Sequence, residues 1–220
     1  MTKSVLPTLT DEELEANATR FVGLLESIQT EGANIQGLVE YLQGTDFFVA
    51  PASTKFHGSY RGGLVAHSLL VYDNLRKLID AIQDEGHEPI PEDSVKVVAL
   101  LHDLSKANYY EPSFKNEKVY NPDGKKFDEG GKFDWVATGG YKVKPEASRF
   151  ICVNHDVNSA YLVSCYYPLS VEEFAAISSH SGLMSDSVAS NPDINEIYRR
   201  YPLALLLHQA DALAAYYQQI

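Results

Sequence analysis

Histidine and aspartate side chains recur along the chain at positions that could bind a divalent metal ion. The most informative pair, His102-Asp103, follows the apolar run 97–101, which predicts a buried helix that ends in polar groups. A buried carboxylate is costly unless it is paired or binds a metal, and both residue types bind divalent transition metals. Adjacent helical residues diverge by about 100°, so an ion that touches both needs ligands from other segments. By itself, the pair is most simply explained as a polar helix end.

Four further residues have the same chemistry and lie on or beside predicted apolar helices. Each has a simple structural explanation when taken alone. A core histidine such as His67 can be satisfied by hydrogen bonds, and His180 at a helix end can interact with the helix dipole. Asp211 is less easily explained, because a carboxylate is unusual inside a strongly apolar helix. Together the candidate ligands are His67, His102, Asp103, His155, His180 and Asp211, with His57 and His208 as residues that could support them.

The sequence predicts that helices position most of these residues. Thr10 and Glu13 form a capping-box pattern at the start of the first helix, and two helices within residues 1–45 are predicted to form an N-terminal brace of a single 220-residue domain. Residues 46–220 are predicted to form the metal-binding core. The helices of that core are predicted over about 64–82, up to 102, 160–166, 171–180 and 201–216, the last with Pro202 in its first turn.

A segment within the core changes character and predicts a small β-hairpin insertion at about 112–144. Its turn residues lie between short β-prone pieces. Residues 106–144 hold eight lysines against six acids, which gives +2 in a chain whose formal net charge is −12. A mixed, solvated surface explains this balance. The functional alternative is a lysine-bearing flap over an anionic substrate.

Composition limits the classes of partner. The net charge of −12 argues against non-specific nucleic-acid binding, although a small anionic substrate is compatible with it if metal ions supply positive charge. No apolar run is long enough to span a membrane, and the start of the chain lacks a signal-peptide core. The two cysteines, Cys152 and Cys165, form no disulfide framework. We therefore expect a cytoplasmic protein with no membrane partner, and we leave a homo-oligomer open.

Three separated motifs give the chain a resemblance to a known superfamily. Gly63-Leu-Val-Ala-His67, Leu100-Leu-His-Asp-Leu-Ser-Lys106 and Leu207-His-Gln-Ala-Asp211 resemble, in order and in helical setting, the motifs of the HD superfamily of metal-dependent phosphohydrolases. The resemblance covers roughly residues 56–216. It implies an all-α, HD-domain helical bundle around the predicted insertion.

The resemblance also implies a set of metal ligands. In that superfamily His67, His102, Asp103 and Asp211 would bind one ion. Members with two ions have two more histidines in the interval that His155 and His180 occupy here, and Asp103 would then bridge the ions. The region of these histidines is similar to a subgroup from bacteria and their phages but departs from it at Asn154, Asp156, Ser179 and Ser181. The expected cofactors are one or two ions of Mn, Fe, Co, Ni or Zn, or of Mg.

The implied reaction is cleavage of a phosphate ester or anhydride of a nucleotide by a metal-activated water. Triphosphate removal from a dNTP, nucleotidase activity and phosphodiester cleavage all fit the resemblance. Asp103 and Lys106 would be catalytic, and Lys106 could hold a phosphate as a point charge. Arg61 and His57 precede the His67 helix and could reach the same substrate. Four aromatic residues could stack a base, although packing explains most of them: Tyr109, Tyr110, Tyr120 and Trp135.

Two other functions share the same ligand pattern. One branch of the superfamily uses six such ligands to hold two irons and activate oxygen. A second alternative is a catalytically silent, metal-bearing HD module that binds a nucleotide. The ligands do not separate these functions, but Lys106 and the lysine-rich insertion favour phosphate chemistry.

Overall fold

The computed structural model describes residues 8–82, 88–151, 153–182 and 194–218. Over these residues the chain forms α-helices and one three-stranded antiparallel sheet. This mixture agrees with the predicted helix-rich fold with a small β insertion. The helices are α1 (Asp11–Glu26), α2 (Ile35–Gln43), α3 (Gly63–Ile82), α4 (Glu92–Leu101), α5 (His155–Ser164), α6 (Val171–Ser178), α7 (Ile194–Arg200) and α8 (Pro202–Ala212).

Local sequence signals fix several helix ends. Thr10 Oγ1 accepts a hydrogen bond from the backbone N–H of Glu13, whose carboxylate accepts one from the backbone N–H of Thr10. The same reciprocal capping box opens α6 at Ser170 and Glu173. Each box satisfies backbone donors that a helix start leaves unpaired. The sequence therefore places the starts of α1 and α6 correctly.

The last helix differs from its prediction. An α-helix was expected to continue to about residue 216, but α8 ends at Ala212 and a π-helical turn, Leu213–Gln218, follows it. Asn74 Nδ2 of α3 donates to the carbonyl of Ala210 at 3.3 Å and to Gln218 Oε1 at 2.7 Å. A side chain that inserts into the helical hydrogen-bond ladder is a common cause of such a change.

One cluster of buried apolar side chains joins the helices. Helix α3 contacts α4 and α8, and α6 packs on α8. Helix α4 is buried on nearly every side, as its continuous apolar run predicts. The N-terminal helices share this core, because Phe21 of α1 is fully buried with its ring centroid 5.2 Å from that of Phe47. Within the described residues, no helix has both the length and the apolar character needed to cross a membrane.

The insertion is larger than the predicted hairpin. Strand β1 (Tyr110–Tyr120) pairs along its length with β3 (Gly131–Val143), and the short β2 (Lys126–Asp128) pairs with the start of β3, in the order β1-β3-β2. The strands thus span 110–143, against the predicted 112–144. Residues 121–130 contain two turns with β2 between them. The connection that was predicted as a single hairpin turn therefore includes a third, short strand.

Candidate metal centre

The structure brings all six predicted ligands to one place. Five separate parts of the helical core contribute them, so the site depends on the packing of the bundle. His67 lies on α3, His102 and Asp103 directly follow α4, His155 opens α5, His180 follows α6, and Asp211 lies in the last turn of α8.

The first half of the site is formed by α3, the end of α4 and α8. His67 Nε2 lies 3.0 Å from Asp211 Oδ1 and 3.3 Å from His102 Nε2. His102 Nε2 lies 3.4 Å from Asp103 Oδ2. Two ligands that each bind one transition metal at about 2.0–2.2 Å lie about 3–4 Å apart. The spacing of these donor atoms therefore fits a single ion.

The second half of the site uses the other oxygen of the same carboxylate. Asp103 Oδ1 lies 3.5 Å from His180 Nε2 and 3.9 Å from His155 Nε2. This oxygen is buried and has no hydrogen-bond partner among the described residues. A buried, unpaired carboxylate oxygen is costly, and a metal ion between the two histidines would satisfy it. The donor set therefore fits a second ion, with Asp103 between the two halves.

Backbone carbonyls orient two of the histidines. The Nδ1–H of His102 donates to the carbonyl of Ala99 at 2.9 Å, and that of His180 donates to the carbonyl of Ile177 at 2.8 Å. Each bond leaves Nε2 free to face the cluster, as in many metal sites. The Nδ1–H of His208 donates to the carbonyl of His180 at 2.8 Å, which places His208 beside the cluster; a supporting role for it stays a prediction.

Two serines join the start of α5 to the turn that carries Asp103. The backbone N–H of Ser105 donates to Ser159 Oγ at 3.1 Å. Ser105 Oγ in turn donates to the carbonyl of His155 at 2.9 Å. Both serines are buried. These bonds fix the position of His155 relative to the His-Asp pair.

The site carries buried charge of both signs. Burial alone would raise the pKa of Asp103, but the charge of Lys106, whose Nζ lies 2.6 Å from Asp103 Oδ2, and the neighbouring His102 hold that pKa well below its usual range. Burial would raise the pKa of Asp211 as well, yet His67 and other histidines lower it. Burial would lower the pKa of His180, but Asp156 and Asp103 raise it to about 10. The carboxylates thus stay ionised and favour positive charge beside them.

A cavity of about 140 Å³ lies against this cluster. Pockets for whole drug-sized ligands measure about 300–1,000 Å³, so this cavity has room for a phosphoryl group and water rather than for an entire nucleotide. Tyr216, which is 61% exposed, lies at its edge. The lining residues are His57, Asp103, Lys106, His155, His180, Ser181, His208, Asp211, Ala212, Ala215 and Tyr216.

His57 and Arg61, which precede α3 and were both expected to bind substrate, have different positions in the structure. His57 lines the cavity, and its ring centroid lies 4.6 Å from that of His67. Burial and the neighbouring His67 lower the pKa of His57 to about 4, so its ring is neutral at pH 7. Arg61 does not line the cavity, and its guanidinium pairs with Asp11 at 3.2 Å. Substrate binding by Arg61 stays a prediction.

The lysines of residues 106–144 mostly lie away from the cavity. All eight are within the described part of the chain, and Lys106 alone lines the cavity. Lys118 binds Asp128, and Lys142 pairs with Glu111 at 3.0 Å. These contacts favour the mixed-surface explanation of the insertion's charge over a lysine-bearing flap.

The predicted base-stacking aromatics also have other contacts. Tyr109 packs edge-on against Tyr110, and Trp135 packs against Phe133 in the sheet. Tyr120 contacts the same phenylalanine. No member of this predicted set lines the cavity. The aromatic residue that does is Tyr216, which sequence reasoning did not assign to the site; its position depends on the π-helical turn.

Sequence reasoning also undervalued Asp156. Asp156 was placed among the departures from the subgroup pattern, and the bridging role was given to Asp103. In the structure Asp156 is fully buried, and its Oδ1 lies 2.9 Å from His155 Nε2. Ser181 Oγ donates to the same oxygen at 2.8 Å. The carboxylate therefore belongs to the cluster.

The chain is similar in sequence to an archaeal phosphodiesterase. The chain is 28% identical over 117 residues to the dihydroneopterin 2′,3′-cyclic phosphate phosphodiesterase of Methanocaldococcus jannaschii. The aligned region covers 51% of this chain and 44% of that protein. The match thus spans less than half the length of that relative. No protein-family model matches the chain, and no solved structure matches it.

Proposed function

We propose that the chain is an HD-superfamily, metal-dependent phosphohydrolase that cleaves a phosphate ester or anhydride of a nucleotide. The observation that carries this proposal is the position of Asp103. Its two carboxylate oxygens face two separate pairs of histidines, and one of these oxygens is buried without a hydrogen-bond partner among the described residues. This arrangement is suited to adjacent metal ions that act on one phosphoryl group.

The cluster offers ligands for one or two divalent ions. His67, His102, Asp103 and Asp211 would hold the first ion. Asp103, His155 and His180 would hold the second. Such ions stabilise charge on phosphoryl oxygens and lower the pKa of water to near neutrality. Histidine and carboxylate ligands suit several transition metals, so the choice among Mn, Fe, Co, Ni and Zn is left to the experiment.

Lys106 and His57 would act on the substrate from the cavity wall. Lys106 Nζ is bound to Asp103 in the described structure. When metal ions neutralise that carboxylate, the ammonium group can turn to a phosphate oxygen as a point charge. His57 Nε2 is buried and has no hydrogen-bond partner within the described residues, so it can bond to a substrate oxygen. The neutral ring offers this bond without adding charge.

The size of the cavity supports a small substrate. A phosphoryl group fits into about 140 Å³, and the nucleoside would extend past Tyr216 at the cavity edge. An aromatic face can stack on any base, so Tyr216 would add affinity with little base specificity. The relative's activity on a 2′,3′-cyclic phosphate supports phosphodiester cleavage ahead of the nucleotidase and triphosphate reactions.

A substrate panel tests the proposal. Metal-free protein is reconstituted separately with Mn, Fe, Co, Ni, Zn or Mg and assayed by phosphate release and chromatography. The panel contains 2′,3′- and 3′,5′-cyclic nucleotides, nucleoside monophosphates, dNTPs and a phosphodiester that lacks a base. Asp103→Ala is the control. Metal-dependent product that the control fails to form supports the proposal and names the bond cleaved.

A negative panel is informative if metal content is measured alongside it. Protein that holds metal but cleaves none of these compounds contradicts the hydrolase function. Oxygen uptake by the iron-loaded protein would then favour the di-iron oxygenase. Nucleotide binding without turnover across the metals would favour the silent binding module.

A further inference from the structure

The two halves of the candidate metal centre have nearly the same geometry. In the first half, Asp211 Oδ1 lies 3.0 Å from His67 Nε2 and 3.9 Å from His102 Nε2. Asp103 Oδ2 lies 3.8 Å and 3.4 Å from the same two nitrogens. The Nε2 atom of each histidine therefore faces two carboxylates: Asp211, which belongs to this half only, and Asp103, which also contacts the second half. These four distances can be compared with those of the second half.

Asp156 occupies the place of Asp211 in the second half. Its Oδ1 lies 2.9 Å from His155 Nε2 and 3.8 Å from His180 Nε2. Asp103 Oδ1 lies 3.9 Å and 3.5 Å from those nitrogens. All four distances agree within 0.1 Å with their counterparts in the first half. They also match the spacing of about 3–4 Å expected for ligands that share one transition metal.

The surroundings of Asp156 hold its carboxylate in this orientation. The side chain is fully buried. Ser181 Oγ donates to Oδ1 at 2.8 Å, and the Ser181 backbone N–H donates to Oδ2 at 3.3 Å. These contacts leave a lone pair of Oδ1 for a cation. The carboxylate is thereby positioned in advance, which lowers the cost of binding an ion.

We propose that Asp156 is a direct ligand of the second metal ion. The second site then consists of His155, His180, Asp156 and the bridging Asp103, and it repeats the two-histidine, two-carboxylate set of the first. Three carboxylates would offset three of the four positive charges that two divalent ions bring. This inference deepens the proposed function, because it concerns the metal centre of that activity.

The competing explanation is a hydrogen-bonded His155–Asp156 pair. In that arrangement His155 Nε2 donates to the carboxylate and is unavailable to a metal, so the chain would hold one ion. The two explanations make opposite predictions for the number of ions bound. They also predict opposite effects of removing the carboxylate charge, since losing the competitor would free His155.

Metal titration distinguishes them without any substrate. Metal-free wild-type protein and Asp156→Asn are titrated with Mn²⁺ by calorimetry, and electron paramagnetic resonance reports whether two Mn²⁺ ions are magnetically coupled. Asp211→Asn is the mirror variant, and Asp134→Asn in the β insertion is the matched surface control. Circular dichroism checks that each variant folds.

We expect wild type and Asp134→Asn to bind two coupled ions. Asp156→Asn should keep one ion and lose at least about tenfold in affinity for the other, because even indirect supports of a metal ligand contribute roughly 10–100-fold. Asp211→Asn should show the same loss at the first site. Wild type that binds a single ion, or Asp156→Asn that binds the second ion as tightly as wild type, would overturn the proposal.

If Asp156→Asn does not fold, Ser181→Ala replaces it. This variant keeps the carboxylate but removes the Oγ contacts to Asp156 Oδ1, at 2.8 Å, and to His155 Nε2, at 3.2 Å. Weaker binding of the second ion supports the proposal, and unchanged binding refutes it. A protein that binds two ions through Asp156 but fails in the substrate panel would retain this inference and lose the proposed function. A protein that turns over substrate with a single bound ion would retain the proposed function and lose this inference.

Discussion

Replacing Lys106 by Met should have opposite effects on the metal-free and metal-bound protein. Lys106 Nζ lies 2.6 Å from Asp103 Oδ2, and the two side chains are 14% and 2% exposed. Methionine keeps the apolar stem but leaves the carboxylate without its strongest partner. Removing one member of a buried ion pair costs about 3–5 kcal/mol. We expect about 3 kcal/mol, because the neighbouring histidines still contact Asp103.

The loss should be visible at neutral pH. Since the pKa of Asp103 is lowered, its contribution to stability is present above about pH 4 and fades as pH falls. Since the pKa of Lys106 is raised, its contribution is present below about pH 10 and is lost above it. At pH 7 both groups contribute. In a chain of this size about 3 kcal/mol corresponds to a fall in Tm of roughly 6–12 °C.

Saturating Mn²⁺ should remove most of this difference, because the metal then neutralises Asp103. If about 2 kcal/mol is recovered, the affinity of Lys106→Met for Mn²⁺ should rise roughly 30-fold. Thermal unfolding with and without Mn²⁺, together with calorimetric titration, measures both effects. If Lys106 binds phosphate as proposed, the same protein should also turn over more slowly or with a higher KM.

Lys96→Met is the matched control for this experiment. Lys96 also pairs with an aspartate three residues away, Asp93, at 3.5 Å, and its side chain is 11% exposed. Asp93 is more exposed than Asp103, at 23% against 2%, and keeps hydrogen bonds from Gln29 and Thr30, so we expect a smaller loss than in Lys106→Met and one that Mn²⁺ does not change. An equal loss of Tm in Lys106→Met with and without Mn²⁺ would refute the proposed competition between Lys106 and metal.

Three further predictions concern other parts of the chain. Phe21→Ala should cost about 3–5 kcal/mol in denaturant unfolding, because Phe21 is fully buried against Phe47; a loss below about 1 kcal/mol would show that α1 is dispensable. The pKa of His180 is raised to about 10, so its contribution to metal-free stability is present below about pH 6.5 and is lost as pH rises through 10. Metal binding at pH 8 should release about one proton, and calorimetric heats that do not vary with the ionisation enthalpy of the buffer would contradict this. Tyr216→Ala should raise KM for nucleotides several-fold but leave a base-free phosphodiester unchanged, and equal changes for both would exclude stacking.

The sequence indicated the candidate ligands because their positions conflict with ordinary burial. His67, His102 and Asp211 are polar residues inside apolar helical segments, and the structure shows that all three face one another. The capping boxes at Thr10 and Ser170 likewise fixed helix starts through contacts only three residues apart. Such local and periodic signals can be read without knowledge of the packing.

Other features depend on contacts between distant segments. Asp156 is oriented by Ser181, twenty-five residues later in the chain, and no local pattern reports that contact. The π-helical turn that carries Tyr216 begins at Leu213, shortly after Ala210, whose carbonyl accepts a hydrogen bond from Asn74, 136 residues earlier in the chain. For Arg61, the position in sequence beside the His67 helix suggested a contact with substrate. In the structure its guanidinium instead pairs with Asp11, fifty residues earlier in the chain. These positions required the three-dimensional arrangement.

The charges of the metal-free site explain how the chain can fold before metal binds. Three carboxylates are partly balanced by Lys106 and by the protonated His180; those of Asp103 and Asp156 are buried, and that of Asp211 is 20% exposed. One negative charge remains, and it favours entry of a cation. A metal ion that binds as proposed would have to displace both the ammonium group and the histidine proton. Metal affinity should therefore rise with pH and rise again when Lys106 is removed, whereas a site held together only by hydrogen bonds would show neither dependence.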